Sequence, residues 1–285
     1  MMAAPSPSAN AAAAQHHPVL RAMLARPYPA VMGVLNLTPD SFSDGGQFTS
    51  PERALAQARR MIDEGADILD LGAESTRPYG SKPVSAEDEV QRLEAILPDV
   101  VSLGIPVSID TMKASVAAWA FANGAKIAND VWGLQRDPDM ARVIAEHGVP
   151  VVIMHNRDKA DPAIDIVQDM IAFFTRSLDI AAQAHIPAEH IVLDPGIGFG
   201  KTPEQSMTAL ARLAEFNRFG LPLLVGASRK RFIASVIPSE PHQRLGGSIA
   251  AHILAVQNGA RIIRAHDVAE TVQALRVAAA IEDKR

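Results

Sequence analysis

The 285-residue sequence predicts an α/β chain folded as a single (β/α)8 barrel. Three observations predict it. Short runs rich in Val, Ile and Leu recur along the chain, each followed by a longer segment of helical period, and near-continuous apolar runs are what a parallel sheet covered by helices needs. Eight such units in about 250 residues match a closed barrel better than an open doubly wound sheet. The unusual polar residues gather at the carboxyl ends of the runs, where barrels of this kind carry their chemistry.

The predicted strands are AVMGVLNL (30–37), DILDLG (67–72), PVSID (106–110), KIAND (126–130), PVVIMH (150–155), IVLDPG (191–196), PLLVGAS (222–228) and ARIIRAHD (260–267). Helix starts follow them. Ser50-Pro51, Asp137-Pro138 and Thr202-Pro203 each place a capping side chain before a proline suited to the first helical position, and Gln205 completes a capping box with Thr202. Two connections, NLTPDSFSDGGQFTS and GAESTRPYGSKPVS, are polar, rich in Gly and Pro and long for βα loops, so they read as lids.

The barrel domain is expected over residues 19–285, after a disordered tail over 1–18 that is rich in Ala, Pro and Ser and has no period. His16 and His17 are read as part of that tail rather than as a metal tract. The longest apolar run in it is Ala11 to Ala14, and no Lys or Arg precedes Arg21, so it lacks the form of a secretory signal. No run of apolar residues is long enough to span a membrane. There is no cysteine, which removes disulfides, thiolate zinc sites and a cysteine nucleophile, and a cytoplasmic location fits. With 27 basic and 32 acidic side chains the formal charge is −5, so no broad basic face is available for nucleic acid or an anionic membrane. Anionic ligands must be held by a few placed cations.

The polar strand ends are Asn36, Asp110, Asn129, Asp130, His155, Asp194, Ser228, His266 and Asp267. Singly, such residues often cap the next helix or fix a turn. Converging on one mouth they would cost desolvation that a ligand offsets, and a shared function is the reading adopted. Asp110 and Asp194 stand out, because a carboxylate accepts paired hydrogen bonds from the planar donor edge of a guanidine-like heterocycle and stabilises nearby positive charge. The stretch DPGIGFGKT (194–202) resembles the end of a nucleotide-binding P-loop. That pattern needs glycine where the chain has Pro195, and the dinucleotide pattern needs glycine where it has Lys201. Lys201 is open between a solvated lysine and a ligand-binding one, and Phe199 between a packed aromatic and a wall of the site. In GASRKRF, Ser228 is expected to cap a helix whose amino end, with Arg229, Lys230 and Arg231, attracts an anion. Arg264 and His266, one residue apart on a strand, form a second anion clasp. His155 is read as a hydrogen-bonded structural histidine.

Together, NLTPDSFSDGG, ESTRP, SIDT, KIAND, DPGIGFGK, GASRK and RAHDV, in this order from about residue 30 to about 270, resemble the dihydropteroate synthases of folate biosynthesis. The resemblance implies condensation of 6-hydroxymethyl-7,8-dihydropterin diphosphate with p-aminobenzoate through a pterin carbocation, releasing pyrophosphate. By position it implies a pterin site of Asp110, Asn129, Met154, Asp194 and Lys230, and a diphosphate site of Asn36, Arg264 and His266. It implies Mg2+ on Asn36, and p-aminobenzoate held by Thr76, Arg77, Pro78, Phe199 and Ser228. Asp110 and Lys230, with Phe42 and Asp44 of the first lid, form the implied catalytic set. A homodimer through the later helices and the family's standing as a sulfonamide target are implied as well. Tyr79 stands where the family has glycine, and it borders the p-aminobenzoate loop. Two alternatives share the pterin-binding residues: a pterin-dependent methyltransferase, which does not need the first lid or the STRP loop, and a non-catalytic paralogue, which does not need Asn36, Arg264 or His266. The chain has all of these features.

Overall fold

The computed structural model describes residues 16–37, 50–74 and 84–284. Eight parallel strands, β1 (Ala30–Asn36), β2 (Ile68–Gly72), β3 (Val107–Asp110), β4 (Ile127–Asp130), β5 (Val151–Met154), β6 (Ile191–Asp194), β7 (Leu223–Val225) and β8 (Ala260–Ala265), close in sequence order into one barrel. All eight fall on the expected runs and are shorter than them. Three of the runs begin with Pro106, Pro150 and Pro222, which have no N–H to give the ladder. Their carbonyls still accept, from Leu69 N at 3.1 Å, Ala128 N at 2.9 Å and Leu193 N at 2.9 Å.

Alternation along each strand divides the molecule into two cores. Outward-facing residues such as Val31, Leu69, Leu71, Ile109, Val151, Ile153, Leu193, Val225 and Ile263 pack under the surrounding helices. Inward-facing Met32, Ile68, Ile127, Val152, Val192, Leu224 and Ile262 form a separate cluster inside the barrel, and Leu20 and Met23 of the helix Pro18–Leu24 close it from below. His17 caps that helix, accepting from Val19 N, and its ring packs edge-on against His190. The rest of the expected tail, 1–15, lies outside the described residues.

Thr202 and Gln205 form the expected capping box at Pro203–Ala211. Asp137 does not cap the helix that follows it, which starts at Met140. Its carboxylate instead receives Ala114 N at 2.8 Å and Asp139 N at 3.0 Å, tying a turn to the first residue of the preceding helix, Ala114–Ala122. Ser50 opens the helix Ser50–Asp63. Among the described residues no helix is long and apolar enough to cross a membrane.

Candidate active site at the barrel mouth

The inward-facing positions change character two residues further along the strands. Ile68 is followed at that spacing by Asp70, Ile127 by Asn129, Val152 by Met154, Val192 by Asp194 and Ile262 by Arg264, while Asp110 ends β3 between Gly72 and Asn129 in register. Strand periodicity therefore aims these side chains into one volume. Arg264 is its hub: Nε donates to Asp70 Oδ2 at 2.6 Å and Nη2 to Asp110 Oδ2 at 2.9 Å. Asn129 Nδ2 donates to the same Asp70 oxygen at 3.0 Å. Asp70 Oδ1, Asp110 Oδ1 and Asn129 Oδ1 are left buried with no hydrogen-bond partner among the described residues. Met154 and Asp194 are neighbours in register across β5 and β6.

Asp70 lies in the middle of a run rather than at its carboxyl end, so it is not among the expected site residues. An aspartate inside DILDLG was the available signal, since a carboxylate in a strand covered on both faces needs a compensating partner. The fully buried Asp70 has two such partners, Arg264 and Asn129.

Burial dominates the electrostatics. It raises the Asp110 carboxyl to about 7, with Arg264 pulling it down and Asp70 pushing it up. Burial likewise raises Asp194 to about 6, against the pull of the Gly196 N–H that its Oδ1 accepts at 2.7 Å. For Arg264, burial opposes the charge, but Asp70 and Asp110 outweigh it and its pKa rises. His266 is pulled down to about 3 by burial and by Arg264, Arg229 and Lys230, so it is neutral at physiological pH.

The turn after β6 is no phosphate cradle. Gly196 and Gly200 hold positive φ, +61° and +53°, and a Cβ at either would overlap the segment His155–Arg157 packed against them. Lys201, left open from the sequence, is buried inside the turn and donates to Gly196 O at 2.9 Å and Phe199 O at 3.0 Å. It is spent on the protein and cannot reach a nucleotide. The Phe199 ring lies under Lys230, with Nζ 4.1 Å from its centroid, which joins a residue expected at the pterin to one expected at p-aminobenzoate.

Ser228 does not cap a helix. The residue after it, Arg229, takes a left-handed φ of 57°, held by Ser248 Oγ at its N–H and Arg244 at its carbonyl, so the helix starts only at Arg231. The Ser228 hydroxyl instead accepts from His266 N at 3.2 Å and lies 3.0 Å from His266 Nδ1. Arg229 is paired with Asp267 and is not part of an anion cluster. Asn36 and His266 line one cleft with Arg229 and Asp267, whereas Arg264 is turned inward, so the structure does not bring all three diphosphate residues onto one surface.

Two other strand-end residues leave the mouth. Asp130 follows the inward Asn129 and so faces outward, closing a turn by accepting Trp132 N at 2.9 Å and Leu134 N at 2.6 Å. His155 points to Asp169, 3.0 Å from its Nε2, and has the structural role read for it. Phe42, Asp44, Thr76, Arg77, Pro78 and Tyr79 lie outside the described residues.

A barrel whose mouth is lined by buried carboxylates, an amide and a lysine defines a binder of a flat, donor-rich heterocycle, and residues 32–266 match the family model described as pterin binding enzyme. The chain is 44% identical over 255 residues to the dihydropteroate synthase of Bacillus subtilis, covering 89% of each protein. A crystal structure of dihydropteroate synthase from Clostridium difficile in the presence of pteroic acid superposes with a TM-score of 0.86 at 45% identity, covering 89% of this chain and 97% of that one. The Xanthomonas albilineans enzyme in complex with 7,8-dihydropteroate gives 0.83 at 41% identity, covering 90% and 94%. The chain belongs to the dihydropteroate synthase family.

Proposed function

We propose that this mouth joins 6-hydroxymethyl-7,8-dihydropterin diphosphate to p-aminobenzoate, the dihydropteroate synthase reaction, with the residues inside the barrel holding the pterin. The observation that carries the assignment is the set of donorless buried acceptors, Asp70 Oδ1, Asp110 Oδ1 and Asn129 Oδ1, beside Asp194, whose Oδ1 accepts Gly196 N–H. Each buried acceptor without a donor costs about 1–3 kcal/mol, and the amino and ring N–H groups of a pterin supply the missing donors. Asp194 takes the amino-pyrimidine edge, Asn129 and Asp110 the remaining ring donors, Met154 a ring face, and Lys230 the far side.

Chemistry then follows from charge. Cleavage of the C–O bond sends its electron pair to the diphosphate and leaves a pterin cation. The Asp110 carboxylate stabilises that cation, His266 with Asn36 in the neighbouring cleft meets the departing anion, and Arg264, held inward by Asp70 and Asp110, adds its positive charge from beside them. The neutral arylamine of p-aminobenzoate forms the new C–N bond and then loses a proton; as an aniline it needs no strong base for attack. Asn36 suits Mg2+, because its amide oxygen is a hard donor and this ion takes few protein ligands, keeping waters and substrate phosphate oxygens around it. When bound, the ion adds positive charge at the leaving diphosphate. Ser228 and Phe199, with Thr76, Arg77 and Pro78, are assigned to p-aminobenzoate and so to its sulfonamide mimics, and Phe42 and Asp44 to a lid that keeps water from the cation.

A cytoplasmic homodimer completes the reading. Val236, Ile237, Leu254, Val277 and Ile281, on or beside the last three helices, are each more than half exposed, apolar surface that a second copy would cover. The test is to follow dihydropteroate by mass and pyrophosphate release in parallel, with the pterin diphosphate, Mg2+ and p-aminobenzoate. Product formed in step with pyrophosphate is expected; pterin binding without product would refute the catalytic assignment.

A further inference from the structure

Lys201 is buried beside the proposed site, yet the reaction makes no use of it. Its Nζ lies 2.7 Å from His155 Nδ1, 2.9 Å from Gly196 O and 3.0 Å from Phe199 O. His155 Nε2 is committed to Asp169 Oδ2 at 3.0 Å, and Arg157 holds the other oxygen of that carboxylate at 2.7 Å. The imidazole hydrogen therefore sits on Nε2 and Nδ1 presents a lone pair. Burial lowers the Lys201 amine to about 7, against the pull of Asp194 and Asp169; as an ammonium it shares its three hydrogens among these acceptors and a fourth, His155 O at 3.4 Å.

What the ammonium holds differs across the turn. Asp194 is fixed without it: its carbonyl accepts His155 N at 2.9 Å in the strand ladder, and its side chain accepts Gly196 N at 2.7 Å. Among the described residues, the Phe199 backbone is held by its own N–H bond to Gly196 O, at 3.0 Å, and by the Lys201 bond to its carbonyl. Its ring is the surface on which Lys230 rests.

We propose that Lys201 is a positioning residue that fixes the Phe199 carbonyl and ring, and thereby sets p-aminobenzoate affinity while leaving the pterin side in place. This rests on the assignment of Phe199 to the p-aminobenzoate side. The full chain carrying Lys201→Met, Phe199→Leu, or both is assayed for the p-aminobenzoate KM and kcat, and by calorimetry for the pterin diphosphate Kd with Mg2+. In Lys201→Met the p-aminobenzoate KM should rise up to about tenfold, the scale of one lost hydrogen bond, with the pterin Kd within about twofold. Phe199→Leu should add little on top of it, since a residue acting through another gives a non-additive cycle. Proportional loss of both affinities, an unchanged p-aminobenzoate KM, or additive effects would overturn the proposal. Lys201→Arg keeps the charge but cannot place three N–H groups on these acceptors. If Lys201→Met fails to fold, the arginine variant is assayed in its place, alone and with Phe199→Leu, against the same outcomes. A wild-type chain that binds pterin without turnover would refute the reaction instead, and calorimetry with p-aminobenzoate would then still read the Lys201 effect.

Discussion

The lower and upper halves of the barrel interior are built on the same strands, two residues apart, and obey opposite rules. Below, Met32, Ile68, Ile127, Val152, Val192, Leu224 and Ile262 fill the barrel with hydrocarbon under the lid of Leu20 and Met23. Above, Asp70, Asp110, Asn129 and Asp194 are buried too, with Arg264 partly buried among them, but this layer carries charge and donorless oxygens. The lower layer stabilises the fold, since each buried side chain contributes about 1.5–3 kcal/mol. Ion pairs buried in the upper layer gain little over an apolar core of the same shape, because desolvation offsets their attraction. One structure thus separates the residues that keep it folded from those that make it an enzyme.

Substitutions should separate in the same way. Ile127→Ala in the lower layer is expected to cost about 2–5 kcal/mol of stability, read from the denaturant midpoint, while turnover per folded molecule stays near wild type. A fall in kcat of the folded fraction would show that the two layers are not independent. Asp110→Asn in the upper layer should do the reverse. It keeps the shape of the side chain and removes the charge facing the cation, so kcat should fall about 10²-fold with little change in midpoint. Diphosphate binding should suffer far less than turnover, and equal losses of the two would sink the assignment of Asp110 to the cation.

How much of this was legible in the sequence depends on the kind of signal. The eight strands were legible because parallel strands covered on both faces are written as apolar runs, which prolines and glycines punctuate. The same property hid the direction of each side chain. Without an apolar–polar alternation, Asn129 and Asp130 look alike, yet one faces the mouth and the other accepts Trp132 and Leu134 N–H groups in a turn. Asp70 escaped for the same reason. The helix after β7 was placed too early because Arg229 adopts a left-handed φ, a role that glycine usually signals. Lys201 was undecidable: a lysine in a glycine turn reads as solvated, and its acceptors come from His155, 46 positions earlier, and from backbone carbonyls.

A smaller effect tests whether the upper layer works as one electrostatic unit. Burial lifts Asp110 to about 7 and Asp194 to about 6 in the ligand-free protein. Each must be ionised to accept the pterin donors, so kcat/KM for the pterin should fall as pH drops through this window. Asp70→Asn removes the neighbouring charge that pushes Asp110 up and leaves Arg264 to Asp110 alone. Both changes favour the Asp110 carboxylate. Its part of the acid limb should therefore move below about 7, leaving the limb near the Asp194 value of about 6. Because the substrate's own ionisations are common to both proteins, the difference between the two pH profiles isolates the protein's contribution. A limb that stays in place would mean that Asp110 does not sense Asp70. A limb that moves up would mean that Asp70 serves mainly to orient Arg264 onto Asp110, and that losing the orientation outweighs losing the charge.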